Sequence, residues 1–387
     1  MKIAIYYNNA DTLGHATRLL ALLKGIKENI PRCRIVLLAG DVVPMFLPLR
    51  GFTEVVMLPY GADWKGNIKG ETRKLSNQIG HMFRERFARV RSVLKGFHPD
   101  IFLVDHFPFG QGPWFLEMPF ILDYVKDELG CKVFGSAGYL NYAERLYENV
   151  DHYFDRILVH SPRPLALTYM KHLDDRSAGE LTRVVRAFKD KIDFTGFVFD
   201  RPESLADGRL RDERWKKGFE KMVLVSRGGG VWNDRIIVSA LLAARKKKEW
   251  WFIVCCGPAT GAKEMRMYNG LARGAGNVKL VHFLPPEDFD RYLAAADIGV
   301  SLTGYNAALK LLFFRKRAVL VPHDISEQIW RAKLLSNYIP AVILTSKNAT
   351  ADRLVAAMEA VLKKTVPRKK MPADWFEGAS QTAGILA

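Results

Sequence analysis

Three groups of residues in this chain have types and spacings that can do chemistry. The first is the polar stretch Asn8-Asn9-Ala10-Asp11-Thr12-Leu13-Gly14-His15-Ala16-Thr17-Arg18, which joins an apolar run to a helical pattern. An imidazole at a helix start meets free backbone N–H groups and the positive end of the helix dipole, which favour its neutral, proton-accepting form. Such a group can deprotonate an attacking hydroxyl, although a histidine that merely caps the helix fits His15 as well. A base of this kind needs an orienting carboxylate, and Leu103-Val104-Asp105-His106 offers Asp105 directly after another apolar run. An aspartate that only caps the next turn reads almost equally well there.

The second group is Val225-Ser226-Arg227-Gly228-Gly229-Gly230, placed between a strand pattern and a helix pattern. Where side chains are absent, backbone N–H groups can close on phosphate oxygens, so a diphosphate cradle is the functional reading and a plain tight turn the bland one. The third group is Ser301-Leu302-Thr303-Gly304-Tyr305-Asn306, again between strand and helix, with Pro322-His323-Asp324-Ile325-Ser326-Glu327-Gln328 after the next strand. Two glycine-bearing turns at neighbouring strand ends suit a nucleotide diphosphate. The carboxylate and carboxamide of Glu327 and Gln328 can hydrogen-bond sugar hydroxyls.

These groups must be carried by a particular kind of scaffold. Short Val/Ile/Leu-rich runs alternate with longer helical patterns, the signature of parallel sheets covered by helices on both faces, and the pattern occurs twice. In the first half the strands read as 2–6, 34–38, 54–58, 101–104, 132–134 and 156–159, with helices over 18–28, 74–97 and 117–129. In the second half they read as 222–226, 251–255, 278–282, 298–301, 318–321 and 342–344, with helices near 234–248, 263–272, 287–295, 307–314, 327–335 and 349–362. The stretch Phe197 to Trp215 breaks both periodicities and reads as an interdomain connection. The expected division is a domain over 1–196, a second over 197–365, and a tail over 366–387 packing back on the first.

The 387 residues suffice for two cores, and 49% hydrophobic with 26% charged residues is a globular composition. The start MKIAIYY lacks the order of a secretory signal, and no run approaches the roughly 18 apolar residues of a membrane span. The expectation is a cytoplasmic chain, soluble or peripheral at the inner membrane face. Cys33, Cys131, Cys255 and Cys256 have no zinc-ligand spacing, so no metal is expected. The formal charge of +17 favours an anionic partner, whether a membrane surface, nucleic acid or a phosphorylated substrate, and a basic solvated surface without such a partner fits it equally. From Met82 to Phe97, Phe83, Phe87, Val90, Leu94 and Phe97 recur at helical spacing, which predicts an amphipathic helix with Arg84, Arg86, Arg89, Arg91 and Lys95 in water. The basic runs lack interleaved aromatics, so nucleic acid is not expected.

The succession of a GLGH-like turn, HPDIFLVDH, VLVSRGGG, SLTGYN and VPHDISEQIWRA closely resembles the predicted glycosyltransferases whose C-terminal domain belongs to family 28. These are related to the N-acetylglucosaminyltransferase that forms lipid II. The resemblance spans nearly the whole chain. It implies a GT-B fold, with two Rossmann-like α/β domains facing across a cleft. It also implies a UDP-sugar donor, a hydroxyl acceptor of which a lipid-linked one is an instance, inversion, and no metal or cofactor. Carried over by position, Gly14 and His15 lie on the acceptor and phosphate side, where His106, next to Asp105, is also expected. Ser226 and Gly228 to Gly230 lie under the diphosphate, Phe283 and Leu284 by the nucleobase, and Glu327 and Gln328 by the donor sugar. Gly304, Tyr305, Asn306 and position 310 complete the donor side. There the chain departs from the pattern: related enzymes carry a glutamate that accepts both ribose hydroxyls, and this chain has Lys310, which accepts none. Lys310 could pair with phosphate instead. A catalytically silent sugar-nucleotide binder and an epimerase-like activity remain alternatives to transfer. Arg315-Lys316-Arg317 replaces the usual turn after this helix and is expected to add positive charge beside the site, while Arg227 interrupts the cradle.

Overall fold

The computed structural model describes residues 1–7, 13–40, 47–59, 72–109, 117–140, 150–173, 175–202, 208–229 and 235–387. The chain divides into two compact units. One comprises Met1–Ala10, Arg18–Phe199 and Ala373–Ala387, the other Asp11–Thr17 and Asp200–Pro372.

The first unit is built on β1 (Lys2–Tyr7), β2 (Arg34–Ala39), β3 (Glu54–Met57), β4 (Ile101–Asp105), β5 (Lys132–Ala137), β6 (Arg156–Val159) and β7 (Ile192–Phe194). They form one parallel sheet in the order β3-β2-β1-β4-β5-β6-β7. Its helices are α1 (Leu13–Asn29), α2 (Thr72–Phe97), α3 (Met118–Asp123), α4 (Val150–Tyr153), α5 (Arg163–Met170) and α6 (Asp175–Ala187). Strands buried on both faces need unbroken apolar runs, and every residue of β4 is buried. β7 escaped the sequence reading because it is only Ile-Asp-Phe; Asp193 at its centre is fixed by both forks of Arg156, at 2.5 and 2.6 Å. The helix expected over 117–129 is α3 followed by a π-helical turn at Tyr124–Glu128.

α2 corrects one expectation. Arg86 does not face water: it is fully buried, one turn before buried Val90 and two before Leu94, in the apolar stripe itself. Its Nε and Nη2 each lie 2.9 Å from a different oxygen of buried Glu117, Nη2 donates to Tyr6 Oη at 2.6 Å, and Nη1 donates to the Pro59 carbonyl at 2.8 Å. Tyr6 also donates to Glu117. Burial, with Glu117 beside it, holds the Tyr6 phenol well above its ordinary pKa, so it remains a donor. Helical spacing placed Arg86 on the core face, and this ion pair makes the placement tolerable.

The second unit is built on β8 (Lys221–Ser226), β9 (Trp250–Cys255), β10 (Val278–Val281), β11 (Ile298–Ser301), β12 (Arg317–Leu320) and β13 (Ala341–Ile343), again parallel, in the order β10-β9-β8-β11-β12-β13. Its helices are α7 (Gly208–Lys216), α8 (Arg235–Lys246), α9 (Ala262–Ala272), α10 (Pro286–Ala295), α11 (Tyr305–Phe313), α12 (Ser326–Ser336) and α13 (Ala351–Lys363). α7 occupies part of the stretch expected to be an irregular connection. Its charged sequence hides the helix, which Arg214 ties to Asp297 ahead of β11 at 2.6 Å. The chain closes with α14 (Gly378–Leu386) in the first unit, where the Phe197 N–H donates to the Trp375 carbonyl at 2.6 Å and Asn29 Nδ2 to Ser380 Oγ at 3.3 Å.

In each sheet the strand order reverses once, between β1 and β4 and between β8 and β11. Open parallel sheets bind ligands beyond the carboxyl ends of their strands at such a switch point. Truncating Arg86 leaves the Glu117 charge buried without its partner. Arg86→Ala is therefore expected to lower unfolding free energy by about 3–5 kcal/mol in urea titration, whereas a solvated arginine would give less than about 0.5 kcal/mol.

Candidate functional site

At the switch point of the second sheet, β8 and β11 run in register with Ser226 opposite Ser301, so the turns that follow them are neighbours. The Gly228 N–H donates to Ser226 Oγ at 3.2 Å, and Gly228 has φ +79°, a left-handed conformation that glycine adopts without strain. Gly257, after β9, packs so close that a β-carbon there would overlap the Gly228 carbonyl oxygen. Ser226 is buried and Gly229 partly exposed at the rim, while Gly230 lies outside the described residues, as do Asn8 to Thr12.

Arg227 does not intrude on this turn. It points inward and is 2% exposed, with Nη2 donating to Thr260 Oγ1 at 2.8 Å and Nη1 3.7 Å from Glu264 Oε1. The guanidinium therefore braces the loop after β9 from beneath. α11 begins at Gly304 without a side-chain cap, and α12 after Ile325 likewise. Uncapped helix starts present backbone N–H groups to anionic or hydroxylic ligands. Residues 11–17 cluster with this unit, where the Asn306 carboxamide donates to the Gly14 carbonyl at 3.2 Å and to the Thr17 hydroxyl.

The segment after β12 is held just as firmly. Arg331, 5% exposed, pairs with Glu327 one turn earlier, donates to the Thr303 carbonyl at 2.5 Å, and lies 5.7 Å from the centre of the Tyr305 ring. Gln328 accepts at Oε1 from the His323 N–H at 3.0 Å, and its carbonyl accepts from Thr303 Oγ1 at 2.8 Å. Glu327, Gln328 and Tyr305 thus belong to one braced cluster spanning the ends of β11 and β12. Sequence reasoning missed Arg331, although its position four residues after Glu327 is an ion-pair spacing on a helix. Phe283 and buried Leu284 follow β10, at the far edge of this half of the sheet.

Lys310 is the position where the chain departs from its expected pattern. It is 6% exposed, with Nζ 2.5 Å from Asp290 Oδ1 and 5.6 Å from the centre of the Phe289 ring. The ammonium is thus neutralised within the domain by a carboxylate from α10. Lys316 corrects another expectation: it precedes β12, on the amino edge of the sheet opposite the turns above. There its Nζ donates to the Ala294 and Ala296 carbonyls at 2.6 and 2.8 Å, closing the end of α10. Burial, with Arg211 nearby, lowers its pKa to about 8.

In the first unit Asp105 ends β4 and is 3% exposed. Arg18 Nη2 donates to its Oδ1 at 2.7 Å, and Ser136 Oγ at the end of β5 donates to the same oxygen at 3.2 Å. Ser136 Oγ lies 2.9 Å from Nε2 of fully buried His160 at the end of β6, whose Nδ1 is 2.9 Å from Thr195 Oγ1. Burial and the Arg18 charge lower the His160 pKa to about 3, against an opposing pull from Asp105. Arg18, Ser136, His160 and Thr195 were not singled out from sequence, yet polar residues directly after apolar strands are a readable signal. His106, at φ +64°, is buried with its ring 6.2 Å from that of Tyr139, while His15 lies in the first turn of α1, partly exposed. Among the described residues one grouping has metal-ligand geometry, exposed Asp123, Asp127 and His152, which precede β5 and β6 on the amino edge.

Residues 225–382 match the glycosyltransferase family 28 C-terminal domain. No curated protein matches the chain by sequence. Among solved structures, the glycosyltransferase of kitacinnamycin is similar over 100% of this chain and 98% of its own, at 17% identity and TM-score 0.66. MurG of Acinetobacter baumannii is similar over 99% and 95%, at 16% identity and TM-score 0.52. The UDP-GlcNAc 2-epimerase of Methanocaldococcus jannaschii is similar over 100% and 99%, at 12% identity and TM-score 0.58. At these identities the likeness establishes the fold, two Rossmann-like domains of the GT-B type. With the family 28 domain on that fold, the chain is a glycosyltransferase.

Two outcomes follow from these buried groups. Lys310→Glu places a second carboxylate against Asp290, so it is expected to lower the melting temperature, and adding Asp290→Asn to recover most of the loss; an unchanged melting temperature in the single variant contradicts the pairing. His160 is folded as a neutral group with a pKa of about 3, below the roughly 6.5 of an unfolded histidine. Below about pH 6.5 the unfolded chain binds a proton there that the folded chain refuses, so stability falls by up to ~1.4 kcal/mol per pH unit toward pH 3. His160→Gln should flatten that slope in denaturant titrations between pH 4 and 6; an identical slope contradicts the assignment.

Proposed function

We propose that this glycosyltransferase moves a hexosyl or N-acetylhexosaminyl group from a UDP-sugar to a hydroxyl acceptor, with inversion and without a metal. The reading is carried by one observation: in a family 28 domain, the glycine turn after β8 and the uncapped start of α11 are neighbours at a strand-order switch point. That arrangement offers backbone N–H groups to a diphosphate.

In this reading His15 takes the proton from the acceptor hydroxyl as its oxygen attacks the anomeric carbon, and Asp105 orients the imidazole. Attack from the face opposite the diphosphate gives inversion. The leaving diphosphate gains negative charge as the bond to the sugar breaks, and the amides of the Gly228 turn and the α11 start stabilise it. Glu327 and Gln328, held by Arg331 and the His323 N–H, receive the sugar hydroxyls. Ser226, Gly229 and Gly230 shape the cradle, with Gly304, Tyr305 and Asn306 beside it and Phe283 and Leu284 by the nucleobase. Gly14 and His106 serve the acceptor side. A lipid-linked acceptor at an anionic membrane surface suits the charge of +17.

Because Lys310 is neutralised by Asp290, the ribose hydroxyls need acceptors other than a carboxylate at 310. UDP- and dTDP-sugars therefore both belong in the first screen, with GDP-sugars as the control. The likeness to UDP-GlcNAc 2-epimerases favours one second reading, an epimerase, which forms product without any acceptor.

Calorimetry with UDP-, dTDP- and GDP-sugars, followed by mass spectrometry of turnover with and without hydroxyl acceptors, tests both readings. The expected result is binding of a pyrimidine-nucleotide sugar and a product that requires acceptor. His15→Ala should preserve donor affinity and reduce turnover about 10²- to 10⁴-fold; transfer at the wild-type rate in that variant removes the base assignment.

A further inference from the structure

The carboxyl edge of the first sheet carries a run of side chains, each within hydrogen-bond reach of the next, from β7 across to β4. Thr195 Oγ1, after β7, is 2.9 Å from His160 Nδ1; His160 Nε2 is 2.9 Å from Ser136 Oγ; Ser136 Oγ is 3.2 Å from Asp105 Oδ1. Arg18 of α1 adds a charged donor to that oxygen at 2.7 Å. Thr195, His160 and Ser136 are wholly buried, and Asp105 is 3% exposed, so bulk water offers this run little competition.

Proton bookkeeping gives the run a direction. Ser136 has one hydroxyl proton and two neighbours that accept, a carboxylate and an imidazole nitrogen. The ionised acceptor makes the stronger bond, so the proton goes to Asp105. His160 must then carry its own proton on Nε2 to bond Ser136, which leaves Nδ1 to accept from the Thr195 hydroxyl. The Thr195 hydroxyl has a second acceptor, the Gly196 carbonyl at 3.4 Å, but His160 Nδ1 at 2.9 Å is the closer one, so each member of the run donates one proton in the direction of Asp105.

We propose that Thr195, His160 and Ser136 form a one-way hydrogen-bond chain that, with Arg18, fixes the Asp105 carboxylate in the orientation its role toward His15 requires. His160 is then a positioning residue that never exchanges a proton with substrate. The proposal rests on the reading of Asp105 as the partner of His15. The charges acting on His160 are Arg18 from α1, which opposes its protonation, and Asp105 from the end of β4, which favours it, while the His106 N–H donates to the Ser136 carbonyl beside them. Removing a donor from a carboxylate makes it easier to protonate, so breaking the chain moves the acid limb of the pH-rate profile to higher pH.

The test begins on the full-length wild-type protein with ¹⁵N-labelled histidine. The expected result is a protonated Nε2 and an unprotonated Nδ1 at His160, unchanged from pH 5 to pH 8; a proton on Nδ1, or titration in that range, overturns the proposal. The second measurement follows UDP release from UDP-glucose or UDP-N-acetylglucosamine, whichever the calorimetry above selects. His160→Leu should lower kcat about tenfold at unchanged donor KM and move the acid limb up. His160→Gln, which keeps a donor toward Ser136, should restore both. A Leu variant with the wild-type profile overturns the proposal; if that variant does not fold, or neither donor is turned over, the tautomer alone decides. Asp105→Asn separates the two readings: wild-type turnover in that variant removes Asp105 from the chemistry and with it the role proposed for the chain, while a large loss beside an unaffected His160→Leu overturns the chain alone.

Discussion

The constraint on which the second domain depends is the reversal of strand order between β8 and β11. Right-handed connections send β9 and β10 to one side of β8 and β11 to β13 to the other, so the segments leaving β8 and β11 diverge and open a crevice between them. Whatever lies there meets the glycine turn and the start of α11 rather than the flank of a helix. Gly257 closes on the Gly228 carbonyl from the loop after β9, whereas the space beside Gly228 itself is open and its left-handed backbone is what calls for glycine. Backbone N–H groups are therefore the natural ligands at this place, and an anion is the natural guest.

A second theme is the use of basic side chains as internal fasteners. Several of the 58 Lys and Arg residues are buried and paired inside the molecule. Arg86 ties strand ends to Glu117, Arg18 holds Asp105, Arg227 braces the loop after β9, Arg331 joins Glu327 to the Thr303 carbonyl, and Lys310 is matched by Asp290. Buried pairs of this kind add little net stability over apolar packing, but breaking one is costly, so they enforce one arrangement of the loops. Several of them lie at the carboxyl edges of the two sheets, where the candidate residues are.

The sheets were legible because strands buried on both faces require unbroken apolar runs, and those runs stand out in MKIAIYY, IFLVD, WWFIVC and RAVLVP. The turns were legible because glycine clusters between a strand and a helix have few other uses. What was not legible is where a long basic side chain points. Arg86 and Arg84 look alike in sequence, yet one is buried in an ion pair and the other faces solvent. Asp290 and Lys310 are twenty positions apart and meet only because α10 and α11 pack beside each other. His160 at the end of β6 was not singled out, because its use depends on Ser136 and Thr195 from other strands, a contact that topology alone supplies.

The central claim is that the crevice between β8 and β11 receives a nucleoside diphosphate. Backbone hydrogen exchange of the full-length protein with and without UDP tests it most directly. The account predicts slowed exchange at Gly228, Gly229 and the first turn of α11, with the amino edge around Lys316 unaffected. Saturating UDP that leaves those amides unchanged, or protects a different edge of the sheet, would contradict it.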